Sequence, residues 1–212
     1  MLFRSIIDFA QGSAEWLASR AGMVTASRIA DVEAKIKSGE AAARKDYRAQ
    51  IVAEILTGKP CEDGFTNAAM QWGTEQEPFA RAAYETMREV MVDQCGLVLH
   101  PTIERGAASP DGLVGTDGLV EIKCPKTATH IEYIIGGKAP AKYQPQMLWQ
   151  MACTNRQWCD FVSFDPRLPQ DMQLFVVRFE RDQKRIEEME AAVLAFLAEV
   201  ESTINQLKKK AA

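Results

Sequence analysis

The stretch from Ser109 to Pro125 holds residues whose types and spacing suit metal-dependent chemistry. Asp111 lies at a tight turn, and a second turn at Asp117-Gly118 leads into a short apolar strand that carries Glu121 and Lys123. Because side chains alternate along a strand, Glu121 and Lys123 share one face. Asp111, which precedes the second turn, can return to that face as a hairpin neighbour. The sequence therefore predicts that two carboxylates and a lysine converge.

Two interpretations of this stretch remain open from spacing alone. Oxygen ligands of this kind suit a hard ion such as Mg²⁺, which keeps several waters and binds through one or two carboxylates plus substrate phosphate. A lysine beside the ion can orient or deprotonate an attacking water, or neutralise developing charge. The alternative is an exposed ion pair at a strand end, flanked by two ordinary turns, because short motifs often match by chance.

The elements around this stretch predict an α/β fold with a central mixed sheet flanked by helices. At 212 residues the chain suits one domain, 1–212. Helices precede and follow a cluster of strands, and a strand pair comes next, which favours a mixed sheet over a doubly wound parallel one. The predicted helices cover 13–22, 47–56, 67–87, 127–135, 142–154 and 182–210, and the predicted strands lie within 96–100, 107–123, 158–164 and 172–179.

The last predicted helix is long and amphipathic. Its apolar residues recur at three- and four-residue steps from Ile186 to Leu207. Covering the sheet of its own domain is the more common use of such a face, and a short coiled-coil contact with another subunit is the alternative.

A candidate anion pocket lies near the N-terminus. Arg20 falls in the last turn of the first predicted helix, and Thr25 or Ser27 is positioned to cap a second helix. Free backbone N–H groups at that helix start, together with a guanidinium and a hydroxyl, would favour phosphate. The simpler alternative is an arginine at a helix C-terminus beside a routine cap.

The helix predicted from Asn67 carries three acids, Glu75, Glu77 and Glu85. Pro78 interrupts it, so either the helix kinks there or a new helix begins with Pro78 in its first turn. One of the three carboxylates can reach the metal site, although most glutamates are simply surface residues.

A basic window surrounds Ser38-Gly39. It is either a loop that follows a DNA backbone or a solvated face. Its members are Lys35, Lys37, Arg44, Lys45 and Arg48.

Composition excludes several classes of protein. A net charge of -4 and a pI near 5.4 argue against coating nucleic acid by bulk electrostatics, though not against a locally basic channel. Five cysteines without a Cys-x-x-Cys pair and two histidines without ligand spacing argue against zinc, a disulfide framework or a Cys/His nucleophile, and favour buried free thiols. The sequence has no long apolar run and no secretory signal pattern, so we expect a cytoplasmic protein without membrane contact.

In combination, these segments resemble the lambda exonuclease family, the phage-type alkaline exonucleases and YqaJ-like viral recombinases of the PD-(D/E)xK nuclease superfamily. The matching stretches run in family order from about residue 11 to residue 182, and the combination is far more specific than any single one. They are Trp16 with Arg20-Ala21-Gly22 and Thr25-Ala26-Ser27, Trp72-Gly73 with Glu77, Ser109-Pro110-Asp111-Gly112, Glu121-Ile122-Lys123-Cys124-Pro125, Gln146, and Phe164-Asp165-Pro166-Arg167.

The resemblance implies a restriction-endonuclease-like core, about 65–182, and a role for several of the matching residues. Asp111 and Glu121, with the Ile122 carbonyl, would bind metal, and Lys123 would act on the nucleophilic water. Glu77 matches an additional helical acid and Gln146 a supporting glutamine. The remaining matches are Arg20, Ser27 and Ser109 for a 5′-terminal phosphate, Lys37 for a DNA-facing loop, and Met70 for an apolar side chain that helps part the strands.

The resemblance also implies an activity. Such enzymes use two Mg²⁺ ions, which Mn²⁺ can replace, and digest linear double-stranded DNA from 5′-phosphorylated ends to 5′-mononucleotides, leaving a 3′ overhang. They form homotrimer rings and act with a single-strand annealing protein in phage recombination. The alternatives are an endonuclease or single-strand nuclease of the same superfamily and, from another class, a catalytically silent DNA clamp or annealing-protein scaffold. A shorter N-terminus and Pro145 beside Gln146 depart from the family pattern.

Overall fold

A computed structural model describes residues 6–61 and 68–211 of the 212-residue chain. Asn67, the predicted first residue of the acidic helix, lies outside these residues. The helices are α1 Ala14–Arg20, α2 Ile29–Val32, α3 Ala42–Thr57, α4 Ala68–Arg88, α5 Thr127–Gly136, α6 Gln144–Thr154 and α7 Gln183–Ala211. The strands are β1 Ile6–Ile7, β2 Val24–Thr25, β3 Val92–Asp93, β4 Leu97–Leu99, β5 Gly106–Ala108, β6 Gly112–Val114, β7 Gly118–Lys123, β8 Trp158–Phe164 and β9 Leu174–Glu180.

The strands of the described residues form two mixed sheets, where the sequence predicted one central sheet. The larger has the order β3-β6-β7-β8-β9, in which only β7 and β8 run parallel. The smaller has the order β1-β4-β5-β2, with β2 parallel to β5. The mixed α/β class is therefore confirmed.

The larger sheet is covered on both faces, which explains why β7 reads as an almost continuous apolar run. Five of its six residues are buried. On one face, α6 and α7 belong to the main core around Trp149 and Phe161, and on the other α4 contributes Tyr84 to a second cluster with Val120 and Ile122. Strands buried on both faces lose their apolar alternation. Both faces of β7 are therefore covered by protein, and its polar side chains contact other protein groups.

The long C-terminal helix is present as predicted, and it packs within its own fold chiefly against other helices instead of the sheet. Its buried residues follow the expected spacing from Ile186 to Ile204, and it packs against α3, α6 and α2. Glu199 on α7 accepts hydrogen bonds from Arg44 and Arg48 on α3 at 2.7–2.9 Å, and both arginines also bind Glu40. Two arginines of the basic window are thus used within the fold.

Several local predictions are confirmed. Ser13 caps α1 by accepting from the Trp16 N–H, and Gly58 ends α3 in the left-handed region. Pro145 lies in the first turn of α6, where its missing N–H costs no helical hydrogen bond, so it does not disturb the helix.

Others are wrong. Thr25 and Ser27 do not cap a helix: a 3₁₀ turn follows Thr25 without a side-chain cap, and α2 begins only at Ile29. Helix α4 continues through Pro78 as one element, so of the two alternatives no new helix begins at Pro78. Helix α6 begins at Gln144 instead of Lys142, after a 3₁₀ turn. Cys95, Cys124, Cys153 and Cys159 are buried thiols outside any disulfide, as predicted, whereas Cys61 is exposed.

Candidate metal centre and anion pocket

The β6–β7 hairpin brings Asp111 to β7, the strand that carries Glu121 and Lys123. Gly112 pairs with Val120 in an antiparallel register, which places Asp111 opposite Glu121. The Asp111 carboxylate accepts a hydrogen bond of 2.7 Å from the Ile122 backbone N–H. This contact fixes the carboxylate beside Glu121 and Lys123, as the hairpin argument predicts.

Glu121 is fully buried and held by three side chains. Lys123, two residues along the same face of β7, forms an ion pair with its Oε1 atom. Gln146 donates to Oε1 and Gln150 donates to Oε2, each at 2.6 Å. A buried carboxylate needs such partners, because its desolvation is otherwise too costly.

The pKa values of Asp111 and Lys123 are shifted because two carboxyl groups lie close together in a buried site. Burial raises the pKa of the Asp111 carboxyl to about 8, and the negative charge of Glu121 acts in the same direction. Burial alone would lower the pKa of Lys123, but the charges of Glu121 and Asp111 outweigh it and raise that pKa. Lys123 is therefore an ammonium group. Its single positive charge does not fully balance the charges of Asp111 and Glu121.

Glu77 is the helical acid that faces this cluster. Its negative charge also raises the pKa of Asp111. The other two candidates act elsewhere, because Glu75 accepts from Gln71 and Glu85 accepts from the Val92 N–H. Arg81, one turn after Glu77, donates to its Oε1 atom at 2.5 Å and anchors the acid.

The donor set fits a hard divalent cation. Within residues 6–61 and 68–211 no group of three or more His, Cys, Asp or Glu side chains forms a ready-made cage. Mg²⁺ does not require one, since it binds through one or two carboxylates and completes its shell with water and phosphate. The raised pKa of Asp111 marks uncompensated negative charge that a cation would neutralise. The Ile122 carbonyl as a ligand remains a prediction.

The predicted anion pocket is built around an indole ring. The Arg20 guanidinium lies 4.0 Å from the centre of the Trp16 ring, and its Nη2 atom contacts Thr25 Oγ1 at 3.4 Å. The same indole donates from Nε1 to Ser109 Oγ at 3.0 Å. Burial lowers the pKa of Arg20, and across the described ranges no carboxylate forms a salt bridge with it. A desolvated arginine without an ion-pair partner suits an anionic ligand.

For three other predicted residues the structure shows the position but does not assign a role. Ser27 is exposed on the 3₁₀ turn, and Lys37 is exposed in the loop between α2 and α3. Met70 is 56% exposed in the first described turn of α4, so it is not core filling. Their roles remain predictions.

Three residues that contact the site were not among the site residues assigned from the sequence. Gln150 shares a helical face with Gln146 at i, i+4 spacing, and that spacing was the available signal. Trp16 belongs to one of the stretches that match the family, but the resemblance assigned it no role. Arg81 carried no signal, since its contact with Glu77 resembles any i, i+4 surface pair until burial is known.

Comparisons with known proteins show the family to which the chain is similar. The YqaJ-like viral recombinase domain matches residues 15–157. A crystal structure of LHK-Exo in complex with dAMP is 55% identical, with a TM-score of 0.87 over 94% of this chain and 98% of that chain. The alkaline exonuclease LHK-Exo from Laribacter hongkongensis, in a second crystal structure, is 54% identical, with a TM-score of 0.86 over the same shares.

A phage-related exonuclease from Haemophilus somnus shares the fold, with a TM-score of 0.67 and 17% identity over 87% of this chain and 96% of that chain. Nothing matches among curated proteins. No helix in the described part of the chain is long and apolar enough to cross a membrane. The family domain spans more than half of the sequence and includes Asp111, Glu121, Lys123 and Gln146, so the chain belongs to the YqaJ-like viral recombinases of the lambda exonuclease family.

Proposed function

We propose that this chain is a Mg²⁺-dependent 5′-to-3′ exonuclease. It digests linear double-stranded DNA from 5′-phosphorylated ends to 5′-mononucleotides and leaves a 3′ single-stranded overhang. The observation that carries the proposal is the buried Glu121 carboxylate with Asp111 beside it and Lys123 paired to it. The similarity to LHK-Exo, described as an alkaline exonuclease, supports the same reaction class.

Each residue of the centre has a distinct task. Asp111 and Glu121 would hold the metal, with Glu77 as an additional acid. Bound Mg²⁺ would stabilise charge on the attacking and leaving oxygens of phosphodiester hydrolysis. Lys123, which forms an ion pair with Glu121, would orient or deprotonate the attacking water, or neutralise developing charge.

The direction of digestion would come from the pocket at Arg20. A terminal 5′-phosphate carries more negative charge than an internal one, and Arg20 is a desolvated cation without an ion pair in the described residues. Ser109 precedes Asp111 by two residues, so the pocket adjoins the metal centre along the chain. The end is thereby held at a fixed distance from the site of hydrolysis.

The decisive experiment offers three substrates in the presence of Mg²⁺: linear 5′-phosphorylated, linear 5′-hydroxyl and closed circular duplexes. We expect rapid release of mononucleotides from the first, slower release from the second and no cleavage of the third. Cleavage of the circle at the rate of the linear duplex would favour the endonuclease alternative, and preference for single strands would favour a single-strand nuclease.

A matched pair of variants tests the catalytic assignment. Asp111→Ala should abolish digestion, whereas Asp117→Ala, on the exposed turn of the same hairpin, should leave it unchanged. If Asp111→Ala retains activity, the assigned centre is wrong. DNA binding by the wild type without any hydrolysis would favour the silent clamp or scaffold.

The proposed assembly is a homotrimer ring that acts in the cytoplasm with a single-strand annealing protein. A ring reconciles the acidic net charge with DNA binding, because basic residues such as Lys37 can line the channel while the outer surface stays acidic. Light scattering on the purified protein tests the trimer. Co-elution with a candidate annealing protein tests the partner, and a monomer in the first measurement would contradict the ring.

A further inference from the structure

Both oxygens of the Glu121 carboxylate accept hydrogen bonds from a single helix, α6. Gln146 donates to Oε1 and Gln150 to Oε2, each at 2.6 Å, and the two glutamines are one helical turn apart on α6. Lys123 also contacts Oε1, so Gln150 is the side chain that holds Oε2 within the described ranges. One amide alone would leave the carboxylate able to rotate about its bond to the side chain. Two amides on a rigid helix remove that freedom.

Gln150 is an unusual residue for its position. Its side chain is fully buried, and neighbouring α6 positions on the core side are apolar, including Trp149 and Met151. Its own Oε1 atom is buried and has no hydrogen-bond partner in the part of the chain that the structure describes. A buried carbonyl oxygen without a donor disfavours folding, so an apolar side chain would suit the core better. The hydrogen bond to Glu121 explains why this position holds an amide side chain.

We infer that Gln150 is a positioning residue of the metal centre, which fixes the orientation in which Glu121 meets a divalent cation. The inference rests on the proposed metal-dependent function. Partners that orient a ligating carboxylate from outside the coordination shell typically change metal affinity or activity about 10- to 100-fold when they are removed. Gln146 is half-buried and faces the site, whereas Gln150 acts from behind the carboxylate.

The test compares Gln150→Met with Met151→Ala. Methionine nearly preserves the volume of glutamine and removes the donor, whereas Met151→Ala makes a cavity in the same helix away from Glu121. Mn²⁺ binding is measured by the loss of the free-ion electron paramagnetic resonance signal, and thermal unfolding is measured in EDTA. For Gln150→Met we expect roughly tenfold weaker Mn²⁺ binding. Its melting temperature in EDTA should fall by less than that of Met151→Ala, because loss of the donor to Glu121 Oε2 is partly offset by loss of the unpartnered carbonyl oxygen of Gln150. Met151→Ala should show a larger fall in melting temperature and unchanged Mn²⁺ binding.

Wild-type affinity in Gln150→Met would overturn the inference and leave the proposed function intact. A Gln150→Met protein that unfolds in EDTA as readily as Met151→Ala would also overturn it, because the amide would then serve folding. Failure of the wild type itself to bind Mn²⁺ would refute the metal centre and the inference together. A parallel Mg²⁺ titration of digestion should show a raised Mg²⁺ requirement with most of the maximal rate regained at saturation.

Discussion

The indole N–H of Trp16 donates a 3.0 Å hydrogen bond to the hydroxyl oxygen of Ser109, and so ties the first helix to the turn that precedes the metal centre. Because that oxygen accepts from the indole, the serine keeps its own hydrogen available to donate to a ligand. The face of the same ring supports the Arg20 guanidinium at 4.0 Å. One aromatic side chain therefore orients Arg20 and Ser109, two of the three residues assigned to the candidate phosphate pocket.

Trp16→Phe should weaken discrimination between ends. Phenylalanine retains a ring beneath Arg20 but removes the N–H that holds Ser109, so we expect the preference for 5′-phosphorylated over 5′-hydroxyl duplex to fall about tenfold, the equivalent of one hydrogen bond. Rates on the two linear substrates, with equal DNA concentrations, give the preference. Trp158→Phe, at another tryptophan stacked with an arginine, serves as the control and should leave it unchanged. An unaltered preference in Trp16→Phe would contradict the role of the indole.

The metal-free protein should lose stability as pH rises from about 4 to about 8. Asp111 has a folded-state pKa raised to about 8 from an ordinary value of 3.8. The folded state therefore binds more protons than the unfolded state in this window, and the free energy of unfolding falls with rising pH. Excess Mg²⁺ should offset the loss by binding the ionised folded form. Melting temperatures in EDTA and in Mg²⁺ across pH 5–9 measure both effects. Asp111→Asn should flatten the metal-free slope, and an equally steep slope in that variant would assign it to other groups.

Two glycine-to-alanine substitutions should act in opposite directions. At Gly112 a Cβ atom would collide with the Val92 side chain, so the β6 strand that carries Asp111 must shift; we expect a loss of about 1–3 kcal/mol in the free energy of unfolding. At Gly73, inside α4, a Cβ atom meets open space, and alanine should add roughly 0.5–1 kcal/mol. Urea unfolding of both variants tests the pair. Equal changes would mean that the close approach at Gly112 relaxes easily.

Glu199→Gln should destabilise the junction between α3 and α7. Glu199 accepts from two arginines and is 42% exposed, so solvent screening limits the cost to about 1 kcal/mol. The difference from wild type should shrink as salt is raised to 1 M, because screening weakens the same pairs in both proteins. Urea unfolding at low and high salt gives the two values. Glu201→Gln, on the exposed side of α7, should have no measurable effect.

The sequence by itself determined the local chemistry. Strand alternation put Glu121 and Lys123 on one face, turn residues predicted the hairpin that returns Asp111, and helical spacing put Gln146 and Gln150 side by side. The long C-terminal helix followed from its apolar period. These features depend on geometry that repeats within one element, so short windows of sequence suffice to predict them.

Only the tertiary structure decided which polar groups meet across elements. It made Gln150 a partner of Glu121, 29 residues away in sequence, and joined Trp16 to Ser109. It also used Arg44 and Arg48 in ion pairs with Glu199, where a DNA-facing cluster had been one interpretation. It also replaced the predicted cap at Thr25 or Ser27 by a 3₁₀ turn. The reason is physical: pKa shifts and hydrogen-bond partners depend on burial and on distances between segments remote in sequence, and no local period encodes either.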